Sequence, residues 1–246
     1  MTRRTNRERA AASRFSSSLV KDNVDFLRRV QAENALEMYI GGMIGCKGDA
    51  YTGEGALSLE QAQAFHRWEI NLFAKAGVDF LYAALIPSAE EAAGIARAAQ
   101  ETRIPYLISF TIRKDGCLID GTPISEAIAS INAITEYRPA GYMTNCVHPA
   151  IAYEALSQPC NSCEWVRSRF VGIQANTACL SYEELDHSKE LKSSDPVELA
   201  EAMIKLREIV PLQIFGGCCG TDGRHMLEIA KRIGERGDQS PLIYKK

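Results

Sequence analysis

No run of apolar residues in this sequence approaches the ~20 needed to cross a bilayer, and neither sign of charge is in marked excess. The 28 Lys and Arg against 31 Asp and Glu leave a formal net charge of -3. That balance gives no electrostatic basis for partnership with nucleic acid or an anionic membrane. A secretory signal is also lacking, so a reducing, cytoplasmic setting is expected, with the eight cysteines mostly free rather than paired in disulfides. No G-x-G-x-x-G follows the first apolar run, which argues against a dinucleotide site. No second C-x-x-C accompanies Cys160 and Cys163, so they read as loop thiols ahead of half a zinc site or a redox pair.

What is present is ordinary in bulk and specific in detail. With 246 residues, 46% hydrophobic and 24% charged, the chain can bury a large core. It is read as one β/α domain over 1–246, with residues 1–35 as an N-terminal helical segment. The Arg- and Ser-rich start shares its composition with transit peptides. It runs without a break into VDFLRRVQAENALEMY, however, and is read as a solvated helix. Six short apolar runs are predicted strands: 38–42, 78–85, 105–112, 140–147, 169–176 and 210–217. Each is nearly continuous in apolar residues and bounded by Gly, Pro or Asn, as strands buried on both faces are. Helical patterns lie between them. One opens at Ser58-x-x-Gln61, places Ala62, Phe65, Trp68, Leu72 and Ala76 on a predicted inner stripe, and closes at Gly77. Others open at Ser88-x-x-Glu91 and at Asp195-Pro196.

Such alternation requires parallel strands, in either an open doubly wound sheet or a (β/α) barrel. Polar and reactive residues recur at the predicted strand ends: Ser109, Thr111, Asn145, Cys146, Asn176, Cys218 and Cys219. In a barrel these ends share one mouth, which is where chemistry is expected. The stretch FGGCCGTDGRH (215–225) sets two adjacent thiols among glycines. Adjacent Cα atoms lie ~3.8 Å apart, too close for an unstrained disulfide. With Cys146 at the same mouth, three thiolates would face one ion, the ligand number of a catalytic zinc with one position open. Free thiols in a Gly-rich turn remain the alternative on spacing alone. His148 precedes Pro149 and reads as a loop residue. His66 and His187 read as helix or surface positions, and His225 as a supporting or surface residue rather than a ligand.

The two motifs together, Asn145-Cys146 and Gly216-Gly217-Cys218-Cys219-Gly220-Thr221, resemble those of the homocysteine S-methyltransferase family. GGMIG (41–45), the segment 48–81, IPSAEEA (86–92) and ISFTI (108–112) are also similar, so the likeness covers roughly residues 20 to 235. The resemblance implies a TIM-barrel-like (β/α) parallel barrel of the α/β class, with zinc on Cys146, Cys218 and Cys219. Ser109, Thr111 and Asn176 are then candidates for lining the substrate mouth, while Thr221 and the glycines shape the turn. It also implies S-methylation of homocysteine or a related small thiol from a methyl donor, as in methionine biosynthesis. Two departures stand out. The chain starts in the helix that follows the family's second strand, so the barrel is expected to lack its first two strands. A homo-oligomer or a partner that completes the barrel is expected to cover the edge. In addition, Ala84 occupies the place of the family's acid that holds the substrate amino group. A non-catalytic zinc-binding homologue, or a methyltransferase subunit served by a corrinoid or folate partner, are the alternatives these departures raise.

Overall fold

Six of the apolar runs become strands of one all-parallel sheet, each paired with the next in the chain. The structure is a computed structural model that describes residues 3–35, 37–185 and 189–235, with side chains over 17–234 of these. The elements run α1 (Arg3–Glu33), β1 (Gly41–Gly45), α2 (Leu59–Ala76), β2 (Phe80–Ile86), α3 (Ala89–Gln100), β3 (Tyr106–Phe110), α4 (Ile124–Ile134) and β4 (Gly141–Val147). They continue with α5 (Pro149–Leu156), α6 (Glu164–Arg169), β5 (Phe170–Ala175), α7 (Tyr182–Leu185), α8 (Pro196–Lys205), β6 (Ile214–Gly217) and α9 (Gly223–Glu235). Because sequential strands are neighbours throughout, the sheet curls as part of a TIM-type barrel. The edges β1 and β6 do not pair with each other, so the result is a half-barrel with six strands.

Strand alternation assigns two faces. Leu81, Ala83, Ile108 and Ile173 point outward into the main core, against Ile95 and Ala99 from α3 and Ile128 from α4. The inner face carries a smaller cluster of Tyr82, Ala84 and Met143, with Phe80, Leu107 and Ile214 packed on it. At the β1 edge Met43 and Tyr39 remain exposed. No helix among the described residues is long and apolar enough to cross a membrane.

Local signals explain most boundaries. Gly77, in the left-handed region at φ 79°, ends α2, and the Asp195 side chain accepts from the Val197 and Glu198 N–H groups to start α8. α1 is tied to the sheet where Arg28 donates to Asp79 (2.7 Å), whose other oxygen accepts from Ile40 N–H (2.7 Å).

Two expectations are corrected. The first strand lies three residues later than predicted, because the Gly41-Gly42 pair sits inside it rather than ending it. The Phe80 and Phe73 rings occupy the space where side chains at these positions would go. On α2 the buried stripe is Ala62, His66, Ile70 and Leu72, whereas Phe65 and Trp68 are half exposed. The helix turns the small Ala62 toward α3, whose Gly94 approaches so closely that a Cβ there would lie 2.5 Å from both Ala62 Cβ and Leu59 O.

That approach gives a test. Helix propensity would favour Gly94→Ala by up to ~1 kcal/mol, but overpacking against backbone costs about 1–3 kcal/mol. The expected result is net destabilisation of about 1–2 kcal/mol, seen as a lower urea midpoint with an unchanged m-value.

Candidate metal centre

β4 ends in a β-bulge. Asn145 pairs with Gln174 and Val147 with Ala175, so Cys146 between them has no partner in the ladder. Its backbone is left-handed (φ 59°), a conformation that costs a non-glycine residue about 1–2 kcal/mol. The bulge re-aims the Cys146 side chain out of strict alternation. Asn176, just past β5, holds the distortion in place. Its N–H donates to Val147 O (3.0 Å), and its side-chain amide donates to Cys146 O (2.8 Å). The Asn176 carbonyl oxygen accepts from Cys219 N–H (3.1 Å). One buried amide thus fixes two cysteine-bearing strand ends.

The GGCCG turn is shaped by two close approaches. Gly217 lets the Thr221 side chain fold over it, and Thr221 Oγ1 donates to Cys218 O (2.7 Å). Gly220 lies at φ 81°, with Thr177 Oγ1 and Lys192 O where a Cβ would be. The sulfurs of Cys146, Cys218 and Cys219 come within 4.8 Å of one another, with 3.6 Å between Cys146 and Cys219. These are the thiols named from the sequence, and among the described residues only they form a group of three or more metal-ligating side chains. A soft, tetrahedral-seeking ion fits three such sulfurs with one position left over.

Their electrostatics point the same way. Hydrogen bonding from Cys218 draws Cys146 toward thiolate; burial opposes this, and Tyr51 and Cys219 add further donors. The Cys146 pKa is pushed down to about 5. The Cys218 thiol is pushed up by its bond to Cys146, by burial and by the neighbouring negative sulfurs. Cys219 is raised by burial and by Cys146. Without a cation the cluster holds one negative sulfur comfortably and resists more, as like charges at such distances must.

Two residues not singled out from the sequence complete the site. Tyr51, on the arm between β1 and α2, donates its hydroxyl to Cys146 Sγ (3.1 Å). Burial and the adjacent sulfurs push its pKa up, so it stays a donor. Its ring packs on Tyr182 at 4.7 Å between centroids. Both rings, with Cys146, Asn176, Cys219 and Lys192, line a cavity of about 590 Å³. Tyr51 reaches the site from a loop and Tyr182 from the start of the one-turn helix α7, so neither sits in a long periodic element that would mark it.

The remaining candidates are placed as follows. Asn176 lines the cavity; Ser109 and Thr111 do not. Ser109 is buried on β3 and donates to Asn145 Oδ1 (2.6 Å), which also accepts from Leu85 N–H (3.1 Å). Thr111 is buried with its hydroxyl unpartnered among the described residues. Ala84 faces inward and brings no charge. Cys160 is exposed and Cys163 half buried, and neither joins a metal-ligating group among the described residues. His148 caps α5, with Nδ1 accepting from Ala150 N–H. His225 is buried, joining Asp222 to Ser194 O. His66 lies on helix α2, one of the two placements expected for it, with its ring buried against Glu91 rather than at the surface; His187 lies outside the described residues.

Comparison with known proteins agrees with this site. The family model for homocysteine S-methyltransferase matches residues 1–233. A homocysteine S-methyltransferase of Escherichia coli K12 is 28% identical over 145 residues, covering 54% of this chain and 46% of that protein. Homocysteine S-methyltransferase YbgG of Bacillus subtilis 168 is 28% identical over 192 residues, covering 74% and 56%. The chain therefore spans about half the length of the curated relatives it matches. Crystal structures of the homocysteine methyltransferase MmuM from Escherichia coli, in metallated and oxidized forms, superpose with a TM-score of 0.69 at 22% identity. They cover 89% of this chain and 72% of theirs, a likeness of fold. A family model that spans nearly the whole chain, on a fold that brings the three motif cysteines together, settles the matter: the chain belongs to the homocysteine S-methyltransferase family.

Proposed function

We propose that this protein is a zinc-dependent S-methyltransferase acting on homocysteine or a related small thiol. The observation that carries this reading is the convergence of the Cys146, Cys218 and Cys219 sulfurs beside an open cavity. Zinc held by these three residues would supply a Lewis acid with an open position, lowering the pKa of a substrate thiol so that it is a nucleophile at neutral pH. The chain's own groups prepare that position. Asn176 holds the backbone at Cys146 and Cys219, and Tyr51 keeps a hydrogen bond on the Cys146 sulfur. The Tyr51 and Tyr182 rings wall one side of the cavity beside the Cys146 sulfur.

Ala84 shapes the choice of acceptor. With no carboxylate on the inner face of β2, the ammonium of an amino-acid thiol must be met by acids of the cavity wall, Asp49, Glu183 and Glu190. A small thiol without that ammonium is the second reading this position favours.

Purified protein is expected to carry about one zinc per chain, one ion for one three-thiol site, and Cys218→Ser to lose it. Titration of homocysteine into the zinc form should then give a calorimetric signal that the variant lacks; zinc-free, reduced, folded protein would sink the proposal. With the Cys146 thiol pushed down to about 5 and the Cys218 and Cys219 thiols raised, zinc binding at pH ~7 should release about two protons. Calorimetry in buffers of different ionisation enthalpy measures that number. In metal-free protein, carbamidomethylation of Cys146 should rise with pH around a midpoint near 5, against ~8.5 for an unperturbed cysteine. Asn176→Ala leaves the buried Cys146 carbonyl and the part-buried Cys219 N–H without these partners. It should lower stability by about 1–3 kcal/mol in chemical denaturation, most of it from the buried group, and weaken zinc retention.

A further inference from the structure

Glu91 and His66 form a fully buried pair that the sulfur chemistry does not use. Glu91 opens α3, and its N–H donates to Ser88 Oγ as helix capping requires. Its carboxylate points elsewhere. Oε1 accepts from Lys47 N–H (2.7 Å) and from His66 Nε2 (3.0 Å), and Oε2 faces Leu57 N–H (3.4 Å). Lys47 and Leu57 are the two ends of the arm that carries Tyr51. A buried carboxylate is costly unless its lone pairs are filled, and here the filling groups come from both feet of one loop and from α2. Burial penalises the charge, yet the bonds from His66 and Lys47 outweigh it and hold the Glu91 carboxyl below its ordinary range.

The arm itself is a tied unit. Asp49 N–H donates to Glu54 O (2.8 Å) and Gly53 N–H to Asp49 O (3.0 Å). The Asp49 carboxylate accepts from the Tyr51 and Thr52 N–H groups, both at 2.8 Å. Gly48 sits so close to the returning strand of the arm that a Cβ would lie 2.0 Å from Glu54 O. A loop braced in this way moves as one piece, so what fixes its base fixes its tip. The tip carries Tyr51, whose hydroxyl rests on Cys146.

We propose that Glu91 and His66 are positioning residues of the sulfur site: they clamp both feet of the 47–57 arm, and through it hold Tyr51 against Cys146. This rests on the reading that Cys146 belongs to the working site, but not on any metal being bound. The clamp acts at a distance, since neither residue lines the cavity.

The test uses the reduced, metal-free full chain and two readouts. Hydrogen exchange by mass spectrometry reports the 47–57 arm, and modification of buried Cys146 by a bulky maleimide reports whether Tyr51 still covers it. Glu91→Gln puts an amide where backbone donors need an acceptor. It should speed exchange of the arm by about tenfold, a local opening of the kind that exchange reports, and speed Cys146 modification several-fold with the circular dichroism unchanged. Gly48→Ala springs the arm while leaving the buried pair intact, and should give the same two changes even if Glu91→Gln fails to fold. His66→Gln, which keeps a donor toward Glu91, should stay near wild type, whereas His66→Ala should not. Wild-type exchange and labelling in folded Glu91→Gln or Gly48→Ala would overturn the proposal. So would a loosened arm with Cys146 labelling unchanged, because Glu91 would then be structural only. A protein that binds no zinc would defeat the functional proposal and leave this result standing.

Discussion

Three sulfurs that repel one another once charged are held within 4.8 Å, and much of the surrounding structure serves that constraint. A parallel sheet with sequential strand order brings every strand's C-terminal end to one rim, so residues 73 positions apart, Cys146 and Cys219, meet there. Proximity alone would not aim them. The bulge at Cys146 turns its side chain, and the glycines after β6 let two consecutive cysteines approach the same point. The cluster is stable without an ion only while it carries little charge, which is why one thiol is acidic and its neighbours are not. A cation removes that limit.

The strain this requires is contained by amides. Leu85 and Cys146 both adopt left-handed backbone near the ends of β2 and β4, the strands that flank β3. Asn145 accepts from Leu85 N–H and Ser109, joining β2, β3 and β4, while Asn176 joins the ends of β4 and β6. Buried amides suit this work because each offers both donors and acceptors, and losing either one would leave backbone groups without their partners. Ser109, expected at the mouth, belongs to this framework rather than to the cavity wall.

The half-barrel also changes what surrounds the site. In a closed barrel the inner face is a packed core; here Met43, paired with inner-face Tyr82, and Tyr39 are exposed at the β1 edge, and Phe80, Leu107 and Ile214 are only partly buried. The rim at Cys146, Cys218 and Cys219 is nevertheless intact, since it depends on β4 to β6 and on the Tyr51 arm. The three cysteines are therefore brought together by the segment of the fold present in this chain, while Ala84 leaves the neighbouring inner face of β2 without a charge.

The sequence by itself determined the order of elements, the caps at Ser88, Asp195 and Gly77, and the identity of the three cysteines. These follow from local patterns: periodicity, capping chemistry, and Gly-rich strand ends whose shared rim is implied by parallel alternation. Tertiary structure alone decided the rest. The start of β1 depended on Phe73 and Phe80 packing onto glycines, and the inner stripe of α2 on the close approach of Gly94. Tyr51 reached Cys146 across 95 residues of chain, and Glu91 gathered the feet of its arm across 34 and 44. Such contacts leave no periodic trace, because each is set by where two distant segments meet in space rather than by the residues beside it.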